Sequence, residues 1–266
     1  MRLHSAAAAA GYRLLSHETL PSTNAEALAS ARSGDSGKLW LTAALQTAGR
    51  GRRGNQWSSP AGNLYATLLL VDPAPAEYGP QLCFVTALAV HDAILELAPS
   101  FRRSLTLKWP NDVLRDGAKL AGILIESERV EGALAVAIGV GVNCGHHPEQ
   151  TAYPATDLAA SGAGVSPGDL LEALSRTMME RLEQWQEGRG FAAIRADWLA
   201  RAAGIGGDMR VRLPGRELVG CGETVDEHGR LLLRLPDGNI QAIAAGDVFP
   251  LGTAGAVSAP AAGRAG

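Results

Sequence analysis

Cysteine is scarce in this chain. Its 266 residues hold three, Cys83, Cys144 and Cys221. They lie too far apart for a disulfide framework or a metal-ligand pattern, which fits a reducing compartment. An excess of one charge is also missing. The formal net charge is −3, which argues against a general nucleic-acid binder. No apolar run approaches the ~20 residues of a membrane span. The opening Met1-Arg2-Leu3-His4-Ser5 and the five alanines after it resemble a signal peptide only weakly, because the apolar part is short. A cytoplasmic protein with a ragged N-terminus is expected. The six histidines show no ligand spacing. No Cys-His signature argues for nucleophilic catalysis, and no His-Arg-Asp or Asp-Phe-Gly run argues for a kinase.

What is present is concentrated between Gln46 and Lys119. The run Gln46-Thr47-Ala48-Gly49-Arg50-Gly51-Arg52-Arg53-Gly54-Asn55-Gln56-Trp57 sits between two apolar segments. Glycine lets backbone N–H groups approach an anion, and arginine adds planar, permanently charged forks suited to carboxylate and phosphate. From Ser36 to Val71 there are four basic residues and no acidic one, so a negatively charged ligand is the physical expectation. Gly49, Gly51 and Gly54 match G-x-G-x-x-G. A dinucleotide site needs a helix opening there, and Trp57-Ser58-Ser59-Pro60 followed by another strand excludes it.

Each remaining motif has a plain explanation when taken alone. Thr23 with Glu26 reads as a capping box that starts a helix. Lys108 and Lys119 read as surface lysines, Trp57 and Trp109 as core, Asp112 and Asn143 as turn residues.

Periodicity predicts a strand over 12–20, a helix over 23–32, strands over 39–47 and 63–71, and a buried helix over 81–97. Asp116-Gly117 and Glu131-Gly132 mark hairpins in a meander that runs to Asn143. Helices follow over 170–185 and 191–202, then short strands from 209 to 251. The fold class is α/β: a mixed, largely antiparallel sheet with helices on one face, then a small SH3-like β-barrel. The expected division is 1–205, 206–252 and a disordered tail at 253–266.

The order of motifs is far more specific than any one of them. Ser22-Thr23-Asn24, the Gly-Arg run, Lys108-Trp109-Pro110-Asn111-Asp112, Lys119-Leu120-Ala121-Gly122-Ile123-Leu124 and Gly139-Val140-Gly141-Val142-Asn143 occur in sequence. The chain closely resembles the biotin protein ligase family. The resemblance is strong over 20–143 and architectural over 208–251.

It implies a two-step reaction. Biotin and Mg-ATP give biotinyl-5′-adenylate and pyrophosphate. A lysine on the biotin carboxyl carrier domain of a biotin-dependent carboxylase then attacks the adenylate and releases AMP. Ser22, Thr23, Asn24 and Gln46 are expected at the biotin ureido ring, with Arg50, Gly51, Arg52, Lys119 and Gly122 along the rest of biotin. Arg50, Arg52, Trp57, Asn111, Lys119 and Asn143 are expected at ATP. Lys119, Arg52 and Asp112 are the candidate catalytic residues, and Asp112 the candidate Mg²⁺ ligand. Two anions must meet in the first step. Their repulsion at ~4 Å is roughly 4 kcal/mol at an effective dielectric of about 20, which the cations offset.

Residues 50–54 are expected to be mobile without ligand and ordered over the adenylate. Two departures stand out. Too few residues precede Ser22 for the helix-turn-helix module of some members, so no DNA is expected as a partner. Asn55-Gln56 stands where some relatives carry a basic residue. No membrane is expected, and a homodimer is left open. The alternatives are a lipoate ligase or octanoyltransferase of the same fold and, more distantly, a non-catalytic nucleic-acid-binding protein.

Overall fold

The computed structural model describes residues 1–149, 151 and 153–251. The expected tail at 253–266 lies outside the described residues. The chain opens with α1 (Ser5–Ala9), β1 (Arg13–Leu20), α2 (Thr23–Arg32), β2 (Leu39–Gln46) and β3 (Leu64–Val71). It continues with α3 (Leu82–Leu97), β4 (Leu105–Lys108), β5 (Asp112–Arg115), β6 (Ala118–Val130) and β7 (Ala133–Val142). Helices α4 (Pro167–Trp185) and α5 (Phe191–Leu199) lead to β8 (Asp208–Leu213), β9 (Arg216–Val225), β10 (Leu231–Arg234), β11 (Ile240–Ile243) and β12 (Asp247–Pro250).

The first sheet has the order β1-β2-β3-β7-β6-β5-β4. Among its described strands β1 and β2 are the parallel pair, with Leu20 opposite Gln46. That pairing requires a crossover, which α2 supplies. Both strands therefore end at the same rim. The hairpins at Asp116-Gly117 and Glu131-Gly132 form as expected, each with φ positive at both turn residues, the geometry that matches strand twist.

β3 is buried on both faces. Leu64, Ala66, Leu68 and Leu70 join the core built with α3, α4 and α5. Leu69 faces the other way and packs with Leu39, Leu41, Ala135 and Ala137 against Ala27, Leu28 and Ala31 of α2. Each fully buried leucine contributes about 1.5–3 kcal/mol. Helices thus cover both faces, not one: among the described residues, α2 is the helix on the side that carries the candidate site. The stretch Ala76–Leu97 is apolar and long enough to cross a membrane by length and composition, although no such run was expected; here most of it is buried inside the protein.

Two local expectations are corrected. The cap of α2 is Ser22, whose Oγ accepts from the Ala25 N–H, rather than Thr23. Thr23 is thereby free to face the site. The N-terminus is not ragged: Ser5–Ala9 form α1 and Ala10 caps it, with Ala7 fully buried and the His4 N–H donating to Ser175 Oγ on α4 (2.9 Å). Ser166, within a Gly-x-Ser-x-Gly string, caps α4 by accepting from the Asp169 N–H (3.1 Å).

The second sheet is antiparallel, in the order β11-β10-β9-β8-β12. Its Met209, Val211, Val225, Leu231 and Leu233 belong to the same apolar cluster as α3 and α5. Trp109 Nε1 donates to the Gly229 carbonyl (3.0 Å), so the second sheet lies directly against the segment between β4 and β5.

Candidate active site

Two adjoining chambers open on the α2 side of the first sheet. The smaller, about 160 Å³, is lined by Ser22, Thr23, Asn24, Gln46, Arg50 and Gly51 with strand residues Gly122, Gly139 and Gly141. The larger, about 690 Å³, reaches Asn143, Tyr153, Arg212 and Phe249. Arg52, Trp57, Asn111, Asp112 and Lys119 line both. The structure thus brings together every candidate residue read from the sequence, some of them at one remove from the cavity's centre.

The floor of the small chamber is a network of uncharged side chains anchored at one end to the Glu126 carboxylate. The Thr23 N–H and hydroxyl both donate to Gln46 Oε1 (2.8 and 3.1 Å), and Gln46 Nε2 donates to Ser59 Oγ (3.0 Å). The Thr67 hydroxyl lies 2.7 Å from Asn24 Oδ1 and 2.8 Å from Thr23 Oγ1. Asn24 Nδ2 donates to the Leu124 carbonyl (3.2 Å) and Glu126 Oε2 (2.9 Å). A Cβ at Gly139 would lie 2.3 Å from Asn24 Oδ1, so only glycine admits this amide. Gly122 and Gly141 do the same for Trp57: a Cβ on either would fall within 3 Å of the indole ring. Trp57 therefore lies flat on β6 and β7, with its Nε1–H buried and without a partner among the described residues.

The common wall carries charge. Asp112, 7% exposed, sits between Lys119 Nζ (2.6 Å from Oδ1) and Lys108 Nζ (3.0 Å from Oδ2). Burial pushes the Asp112 carboxyl up, but attraction to Lys119 and Lys108 outweighs it and holds the group below the usual carboxylate range. Oδ1 is within ion-pair distance of Lys119 yet accepts no well-aligned hydrogen bond from the described residues. Lys108 is buried, not a surface lysine; its Nζ stands 4.0 Å from the Tyr153 ring centre and donates to the Val248 carbonyl. Lys119 is more exposed, with Nζ 5.4 Å from the Trp57 ring centre. Its backbone is clamped by Pro154 and Thr156, and Asn143 Nδ2 braces that clamp by donating to the Thr156 carbonyl (3.0 Å).

The Gly-Arg loop is fastened on both sides. Arg50 pairs with Glu126 (2.9 Å) and Arg53 with Asp247 of β12 (3.1 Å). Arg52 donates to Asn111 Oδ1 (3.2 Å) and more weakly to the Gly246 carbonyl; Asn111 Nδ2 donates to the Ile123 carbonyl (2.7 Å). The Asn111 and Asn143 amides are thus engaged by protein atoms. All three arginines have partners within the chain, an arrangement unlike a row of free cations for a nucleic-acid backbone. Among the described residues, no group of three or more His, Cys, Asp or Glu side chains converges to hold a metal ion. A Mg²⁺ at Asp112 would draw its other ligands from phosphate and water.

Sequence reasoning missed Thr67, Glu126 and the β12 contacts. Lys108 belongs to the Lys-Trp-Pro-Asn-Asp motif, but a sequence pattern alone does not report burial, and here the side chain is buried.

The chain is 44% identical over 239 residues to the biotin--[acetyl-CoA-carboxylase] ligase of Paracoccus denitrificans, covering 86% of this chain and 96% of that protein. Residues 17–143 match the biotin/lipoate A/B protein ligase family and residues 205–249 the biotin protein ligase C terminal domain. The chain belongs to the biotin/lipoate A/B protein ligase family. Within this family, it is similar in structure to the biotin protein ligase from Aquifex aeolicus in complex with biotin and ATP. There the TM-score is 0.73 and the identity 26%, over 91% of this chain and 99% of that one. The biotin protein ligase from Leishmania major in complex with biotinyl-5-AMP gives a TM-score of 0.62 at 25% identity, over 88% and 99%. The mixed sheet with a C-terminal antiparallel sheet is the fold of these ligases, as expected. The lipoate and octanoate alternatives are not favoured.

Proposed function

We propose that this protein is an ATP-dependent biotin–protein ligase in which Lys119 drives the first step. Biotin occupies the small chamber and ATP the large one. A biotin carboxylate oxygen attacks the α-phosphorus, the bond to the β-phosphate oxygen breaks, and pyrophosphate leaves. An acceptor lysine amine then attacks the biotinyl carbonyl carbon, losing a proton as AMP departs with the bonding electron pair. The acceptor is the biotin carboxyl carrier domain of a carboxylase. The protein acts in the cytoplasm, and its three cysteines are free.

The observation that carries this reading is the place of Lys119, on the wall common to both chambers. A cation there meets carboxylate and α-phosphate together and offsets charge as it builds in the transition state. Asp112 holds Lys119 in place through an ion pair. Arg50 and Arg52 supply further positive charge from the loop. The neutral network of Thr23, Asn24, Gln46 and Thr67 shapes the end that takes the ureido ring, with Ser22 and Gly122 beside it. Asp112 Oδ1 pairs with Lys119; once Lys119 turns to the substrate anions, this oxygen would be the protein ligand for a Mg²⁺ carried by the phosphates, and the ion would neutralise phosphate charge there. We assign 1–205 to the catalytic part and 206–252 to a C-terminal part that closes the larger chamber with Gly246 and Asp247.

The test is pyrophosphate release with biotin and Mg-ATP, with mass analysis of the bound product. Biotinyl-adenylate should form, and Lys119→Ala should slow its formation by about 10²–10³-fold. Turnover with lipoate or octanoate but not biotin would overturn the substrate assignment.

A further inference from the structure

Glu126 lies on β6, outside the linings of both chambers. One of its oxygens, Oε2, accepts from two donors of different kinds. Arg50 Nη2 reaches it from the Gly-Arg loop (2.9 Å), and Asn24 Nδ2 from the first turn of α2 (2.9 Å). Asn24 is fixed on its other sides by the Leu124 carbonyl and the Thr67 hydroxyl, and it is buried. The position of the carboxylate is thus set from the rigid side. The Arg50 side chain is 45% exposed and that of Glu126 27%, so their pair is weak enough to break and re-form. Arg52 and Arg53 fasten the loop toward Asn111 and β12. Glu126 fastens it toward α2.

We infer that Glu126 is a positioning residue that latches the Gly-Arg loop over the acyl-adenylate, acting through Arg50. The inference rests on the ligase reading above. With the latch made, the loop stays over a mixed anhydride that water would otherwise reach. With the latch broken, the loop opens more often and the adenylate escapes, while the groups that meet the reacting atoms stay in place. Glu126→Gln separates the two contacts. The amide keeps a neutral acceptor for Asn24 and loses the charge that holds Arg50.

The experiment loads the full-length chain with labelled biotin and Mg-ATP and times release of biotinyl-adenylate from the wild type, E126Q, R50M and the double variant. E126Q should release it about two- to five-fold faster, the range of a partly exposed ion pair. Pyrophosphate release at saturating substrates should change less than twofold. R50M should also release faster, and the double variant no faster than R50M. Equal release from E126Q and the wild type overturns the latch. So does an E126Q acceleration that persists in the R50M background, because Glu126 would then act through Asn24. A wild type that forms no adenylate overturns the ligase reading first, and the latch with it.

Discussion

The polar groups beneath the site and the arginines above it solve opposite problems. Beneath, Asn24, Thr67, Lys108 and Asp112 are all under 10% exposed, and nearly every donor and acceptor is engaged within the fold. Above, the side chains of Arg50 and Arg53 are 45% and 27% exposed and their carboxylate partners 27% and 37%. Buried polar groups hold one geometry because breaking it leaves a group unpaired at a cost of about 1–3 kcal/mol each. Exposed ion pairs contribute about 0–1 kcal/mol and are easily exchanged. The lower half is therefore a mould and the upper half a closure. Charge that must move toward a ligand is placed where moving it is cheap.

Lys108→Met should sharpen this contrast most. It strips one cation from a buried carboxylate; the loss of a buried pair costs roughly 3–5 kcal/mol, and Lys119 keeps the effect toward the lower end. Chemical denaturation measures it. The sign with pH follows from the lowered carboxyl of Asp112. A carboxyl held below its unfolded value, about 3.9, contributes stability above that pH and loses it as pH falls through the folded value. Lys108→Met should therefore move acid unfolding to higher pH, read by circular dichroism along a pH series. An unmoved midpoint would mean that Lys119 alone holds the charge.

Gly139→Ala comes next. Its Cβ would lie 2.3 Å from Asn24 Oδ1, and relief of such a clash costs about 1–3 kcal/mol. Displacing Asn24 should raise the KM for biotin more than the KM for ATP, and equal changes in both would break the assignment of the small chamber. Arg53→Met should do least, about 1 kcal/mol or less in stability. It should, however, increase proteolysis between Arg50 and Gly54 in the ligand-free protein. If that cleavage then falls when biotinyl-adenylate is bound, the closure is real; unchanged cleavage would make the loop a fixed wall.

Element identities were legible because strands and helices here follow strong local signals, such as the two glycine hairpins and the spacing over α3. The face covered by α2 was not. β2 and β3 are apolar on both sides, so their pattern contains no alternation that says which helix lies where. Lys119, Asp112 and the Gly-Arg run announced themselves as motifs. Thr67, Glu126 and Asp247 did not, because each works through a partner far along the chain: Thr67 with Asn24, Asn24 with Glu126, Arg53 with Asp247. The helix cap was misplaced by one residue because Ser22 and Thr23 carry the same hydroxyl, and only geometry says which of them caps and which faces the site.

The parallel pairing of β1 and β2 has a practical consequence for protein engineering. It delivers Ser22-Thr23-Asn24 and Gln46 to one rim of the sheet, and it obliges the link from α2 to β2 to turn at the other. Gly34 lies in that link, with positive φ and no atom of the described residues near its Cβ position. A fluorescent reporter or an immobilisation handle inserted after Gly34 would sit across the sheet from the chemistry. The rim that must admit a carrier protein would remain clear.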